Sequence, residues 1–138
     1  MSIAVRGYAQ YKANEAAAGP ERLIVVAFET MVQNLLNAEE VLGRDFEAQN
    51  RYIQKVQDIL SVLHASLDTS VDEQFCKRTK SLYEWYILRL TEANVTENRA
   101  MLADVRTHLA ELRDAWQGAE QNVRTQKAAS APSLEAAV

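Results

Sequence analysis

Large apolar residues recur along this chain at alternating intervals of three and four. From Ile24 the series continues through Phe28, Met31, Leu35, Ala38 and Leu42. Such spacing keeps every member on one face of an α-helix, so the segment predicts a helix with a buried stripe. Pro20 followed by Glu21 is a start signal, and Gly43 is placed to end it. A second helix is expected from Phe46 to Leu67, with Ile53, Val56, Leu60, Leu63 and Leu67 as its stripe. Asp68, Thr69 and Ser70 read as a turn. The third predicted helix spans Val71 to Ala93, with Phe75, Thr79, Leu82, Tyr86 and Ala93 on one side and Asn94 as a left-handed cap. Thr96 is placed to cap a fourth, whose stripe is Leu102, Val105, Leu109, Leu112 and Trp116. After Gly118 the pattern fades.

Four amphipathic helices with short connections predict an all-α fold, an antiparallel up-down-up-down four-helix bundle. No strand-like alternation and no internal repeat interrupts the pattern. Residues 1–18 are weakly patterned and form a short N-terminal segment, and residues 19–124 form the bundle. Residues 125–138, TQKAASAPSLEAAV, are small and polar and read as a flexible tail.

The helical phase leaves apolar side chains over. At 100° per residue, a core direction through Leu82, Tyr86 and Ala93 puts Tyr83 on one flank and Trp85 on the other. Ile87 and Leu88 then point largely away. On the first helix, Val25, Val32 and Leu36 make a second stripe beside the first, and on the second helix Val62 lies far round from the core. Spare apolar surface marks a docking site, a homodimer contact, or a helix with two neighbours inside its own bundle.

Composition narrows the function. A net charge of −4 offers no clustered basic face for nucleic acid. The single Cys76 excludes an internal disulfide and has no His or Asn constellation that would make it a catalytic thiol. His64 and His108 lie on different helices, with Ser61 and Val105 where a di-iron bundle places its glutamates. Zinc needs more His or Cys than this chain has. Without a phosphate loop or a nucleophile elbow, no enzyme and no cofactor is expected. No apolar run is long enough to insert in a membrane, and MSIAVRGYAQ lacks a signal-peptide layout, so the expected location is cytoplasmic.

Two stretches then add what periodicity cannot. KVQDILSVLHASLD (55–68) and SLYEWYILRLTEAN (81–94) resemble the flagellar secretion chaperones, the FliS family, which shows a similar Leu-Tyr-x-Tyr-x-x-x-Arg-Leu-x-x-Ala-Asn run. Here that run reads Leu82, Tyr83, Trp85, Tyr86, Arg89, Leu90, Ala93 and Asn94. GYAQY, GPERLI (19–24) and LAELRDAWQGA (109–119) resemble the family's N-terminal segment, first-helix opening and last helix. The matches keep their order from about residue 7 to 119.

The resemblance implies a four-helix chaperone that binds the disordered C-terminal segment of flagellin in surface hydrophobic grooves before export. It thereby prevents premature polymerisation and hands its client to the flagellar export apparatus. Tyr8 falls on the family's characteristic N-terminal tyrosine. It is expected to cover a hydrophobic pocket and to gate or complete the client surface, and Tyr11 on the same segment is a further candidate contact. Val25, Val32, Leu36, Val62, Tyr83, Ile87 and Leu88 are candidate groove residues. Gln57, Asp58, Arg89 and Asn94 match polar family positions, where they either bond the client backbone or cap and pair within the bundle. The alternative is a self-associating adaptor or regulator with a different client, its apolar faces closed in a homodimer.

Overall fold

The computed structural model describes residues 19–130 and places four α-helices in them: α1 (Pro20–Val41), α2 (Phe46–Ala65), α3 (Glu73–Thr96) and α4 (Arg99–Ser130). Neighbouring pairs α1–α2, α2–α3, α3–α4 and α4–α1 pack, and the diagonal pairs do not. The helices therefore form a closed ring around one core. Their polar cross-links fix the directions. Glu39 near the end of α1 meets Arg106 near the start of α4, and Arg22 in the first turn of α1 meets Glu120 far along α4. Gln49 at the start of α2 meets Asn94 at the end of α3. Each adjacent pair is antiparallel.

The termini have identifiable causes. Pro20 occupies the first turn of α1, where its missing N–H is no loss. Gly43 turns the chain between α1 and α2 in the left-handed region (φ 74°), which a side chain disfavours. Asp45 caps α2 by accepting from the Ala48 N–H at 3.1 Å, and Asp72 caps α3 by accepting from the Phe75 N–H at 3.0 Å. Two expected caps move. The left-handed residue after α3 is Glu97 (φ 49°), because Asn94 is still helical and uses its side chain elsewhere. The cap of α4 is Asn98, whose Oδ1 accepts from the Met101 N–H at 3.0 Å. Thr96 instead bonds back to the Glu92 carbonyl. Gly118 does not end α4. The helix continues to Ser130, so residues 125–130 of the expected tail are helical, and residues 121–130 extend past the Arg22–Glu120 contact.

The core is built from Phe28, Met31, Leu35, Ile53, Val56, Leu60, Tyr86, Leu90, Leu102, Val105 and Leu109. Each of the larger aliphatic groups contributes about 1.5–3 kcal/mol by leaving water. Truncating a central one, Leu60→Ala, would cost about 2–5 kcal/mol. Within α3 the buried residues are Cys76, Tyr83, Tyr86, Leu90 and Ala93, so the buried sector is wider than the expected stripe and includes Tyr83.

Candidate functional site

Polar bonds divide the ring unevenly. On its α1 side, α4 is tied by Arg106–Glu39 (2.6 Å), Arg22–Glu120 (3.6 Å), Gln117–Glu29 (3.4 Å) and a bond from Arg99 to the Glu39 carbonyl. On its α2 side, α3 is tied by Gln49–Asn94, Asn94–Asn50, His64–Glu84, and Gln57 donating to the Ile87 carbonyl (3.0 Å) and Thr91 Oγ1 (2.8 Å). Among the described residues, no hydrogen bond or ion pair crosses from α3 to α4. That seam is also the most loosely packed of the four. It is held by apolar contact and by His108, whose ring lies 6.0 Å from those of Trp85 and Tyr86.

Where the first half of α3 faces the second half of α4, the seam opens into a groove of about 440 Å³. Phe75, Thr79, Leu82 and Tyr83 line it from α3, and Leu112, Ala115, Trp116 and Ala119 from α4. The α4 residues fall at i, i+3, i+4 and i+7, one helical face on which two alanines leave room between two large side chains. Half-exposed Phe75 forms the rim. Thr79 uses its hydroxyl on the Phe75 carbonyl at 2.8 Å. Burial pushes the Tyr83 hydroxyl up to about 12. Tyr86 is likewise pushed up to about 12, by burial first and then by the nearby Tyr83, Glu111 and Asp104. Both are neutral phenols at any physiological pH. An apolar, uncharged trough on a helical seam suits the apolar face of another helix.

The expected site residues scatter against this geometry. Tyr83 lies in the groove wall, although it is buried rather than flanking. Val25 and Val32 are core residues: α1 packs against both α2 and α4, and its second stripe is closed within the bundle. Leu36 remains partly exposed. Ile87 does not point away. It is half-buried against the core on the helix face tied to α2 through Gln57. Gln57 and Asn94 spend their side chains between α2 and α3, which takes both away from a partner. Asp58 and Val62 are half-buried on α2. Leu88 is 71% exposed, with Val95 two turns on along the same outer face of α3. Arg89 lays its guanidinium over the Trp85 ring at 5.5 Å, and its buried Nε has no partner. Tyr8 and Tyr11 lie outside the described residues. The groove's α4 wall was missed; the signal for it was Ala115 and Ala119 set beside Leu112 and Trp116.

Among the described residues, no helix is long and apolar enough to cross a membrane, and no cluster of acidic, His or Cys side chains could hold a metal ion. Fold and site together define a helical-bundle module built around an apolar surface groove. The model for the flagellar protein FliS family matches residues 4–123, and the chain belongs to that family. Three similar proteins carry the same designation. The flagellar secretion chaperone FliS of Bacillus subtilis is 27% identical over 119 residues, 85% of this chain and 88% of that protein. The flagellar secretion chaperone FliSB of Pseudomonas aeruginosa is 28% identical over 108 residues, 78% of this chain and 86% of its own length. FliS of Salmonella typhimurium is 27% identical over 116 residues, 81% and 86% of the two chains. This is a family of chaperones and not of enzymes.

Proposed function

We propose that this chain is a cytoplasmic export chaperone whose α3–α4 groove takes up an amphipathic helix from the C-terminal segment of flagellin. The observation that carries the reading is the groove itself: an open, apolar seam of about 440 Å³ in a chain of the FliS family. A client segment that finds its packing partners only after export has an apolar face and nowhere to bury it. A helix seated in the groove hides that face and cannot pair with other flagellin molecules, which blocks premature polymerisation. Ordering the segment costs free energy, so the contact extends beyond one groove. Exposed Leu88 and Val95 on the outer face of α3, and Leu36 on α1, are the further apolar footholds. In this reading residues 19–124 are the chaperone domain, and Tyr8 and Tyr11 complete or gate the client surface. Handover takes place at the flagellar export apparatus.

The test is a calorimetric titration of the purified chain with the C-terminal segment of flagellin from the same organism, with circular dichroism alongside. Saturable binding, a negative heat-capacity change and a gain of helix are expected, because apolar burial and folding of the segment occur together. An absence of binding accompanied by a concentration-dependent dimer would assign the spare apolar surface to self-association and end the flagellin reading.

A further inference from the structure

We propose that the Tyr83 hydroxyl is the specificity-determining polar contact of the α3–α4 groove, hydrogen-bonding a polar side chain or free carbonyl of the incoming helix and so fixing its register. The inference rests on the chaperone reading above and adds a chemical requirement to it. The client face must carry one hydrogen-bonding group, such as Asn, Gln, Ser or Thr, among its apolar anchors.

Two hydroxyl-bearing side chains line the groove. That of Thr79 is already committed to the Phe75 carbonyl of its own helix. Tyr83 is only 5% exposed, yet its hydroxyl has no hydrogen-bond partner among the described residues. It is not among the buried polar atoms left wholly sealed, so the oxygen keeps a narrow access to water. A hydroxyl that no protein group engages, in the wall of an otherwise apolar groove, is free to bond a ligand seated there. The remainder of the groove wall is apolar apart from the Trp116 indole N–H, which can donate but not accept, so the Tyr83 hydroxyl is the one uncommitted group in the wall that can do both. Its tall, burial-driven pKa agrees with a phenol that has no acceptor or cation beside it.

Seating a helix in the groove closes this oxygen off from solvent. A helix with an all-apolar face leaves the hydroxyl desolvated and unpaired, which opposes binding. A helix with a polar group at the matching position pairs it. A site that must satisfy a polar group rejects ligands lacking the partner far better than an apolar pocket can discriminate by shape. One hydroxyl in an apolar trough also selects among the several registers in which an amphipathic helix would otherwise fit.

The test compares the full-length chain with Tyr83→Phe and Thr107→Val, using the flagellin C-terminal segment as ligand. Tyr83→Phe keeps the ring and removes only the oxygen. Its Tm should be unchanged or slightly raised, since no intramolecular bond is lost, while its Kd should rise roughly three- to ten-fold. Thr107→Val, which removes a hydroxyl already satisfied by the Ala103 carbonyl within α4 and away from the groove, should bind like the parent. Unchanged affinity in Tyr83→Phe overturns the inference, as does an equal loss in both variants or a lowered Tm in Tyr83→Phe. Failure of the parent chain to bind the segment overturns the chaperone reading itself, before any variant is compared.

Discussion

Filling the groove is the most direct way to ask whether the client sits there. Ala115 lines it from α4 and is itself exposed, so a tryptophan at this position enters the groove without displacing any core side chain. An apolar anchor of leucine or phenylalanine size gains about 1.5–3 kcal/mol on full burial. Denying one such anchor its place should therefore raise Kd by roughly 10- to 150-fold, since about 1.4 kcal/mol is a factor of ten. The cost to the free bundle is small, about 0.7 kcal/mol at most from helix propensity, and the new indole recovers some of it by covering Phe75 and Leu82. The assay is calorimetric titration of Ala115→Trp with the flagellin C-terminal segment, beside thermal unfolding of the free variant. A Tm within a few degrees of the parent and a Kd at least ten-fold higher are expected. Parent-like affinity in a folded variant would show that the segment seats elsewhere, and the groove would lose its role.

Other perturbations test other parts of the argument. Leu88→Asp, on the outer face of α3, should weaken client binding less than Ala115→Trp does and leave the fold intact. The reverse order would make that outer face the main site. Gln49→Met keeps the volume of a fully buried side chain but strands the Gly43 N–H and the Asn94 Oδ1, which Gln49 now pairs at 3.0 and 2.8 Å. A loss of about 2–3 kcal/mol in chemical denaturation is expected, and a loss near zero would contradict the assignment of that network as structural. Tyr83 and Tyr86 keep their protons up to about pH 12, whereas an unfolded chain releases them near 10. The folded state thus binds more protons across that window, and stability should fall as pH rises from about 10 to about 12. Absorbance titration of the phenols with parallel unfolding curves checks this, and stability flat across the window would be the contrary result.

What the chain's pattern made legible follows from what periodicity measures. A stripe such as Phe28, Met31, Leu35 and Ala38 identifies a helix and its inward direction, and α1, α2 and the first half of α4 are oriented as their stripes require. Periodicity does not give the width of the buried sector. Val25 and Val32 looked spare because one stripe was already assigned, but α1 touches two neighbours and both valines are enclosed. Ile87 looked outward for the same reason, since the tie from Gln57 was not visible in either segment alone. Leu88 lies opposite every neighbour of α3, and there phase was sufficient. The groove depends on the separation of two helices at one level of the bundle. That distance is set by side chains on both, so neither segment shows it alone.

The uneven distribution of polar bonds explains how such a groove persists in a stable bundle. Ion pairs and amide bonds join α4 to α1 and α3 to α2, while the α3–α4 seam has none among the described residues. At the other end of that seam Leu90, Ala93, Leu102 and Val105 are fully buried, so the core there is closed and supplies the stability. Toward Trp116 the facing residues shrink to Ala115 and Ala119, and α4 is held on its far side to α1 by the Arg22–Glu120 and Gln117–Glu29 contacts. The helix is anchored away from α3 at the level where the groove lies. Collapse of the gap would strain those anchors, whereas a small widening to admit a helix breaks no polar bond. A seam held by apolar contact alone exchanges its water for a client's apolar face with little reorganisation, and the cross-links on the other seams keep the rest of the ring unchanged when it does.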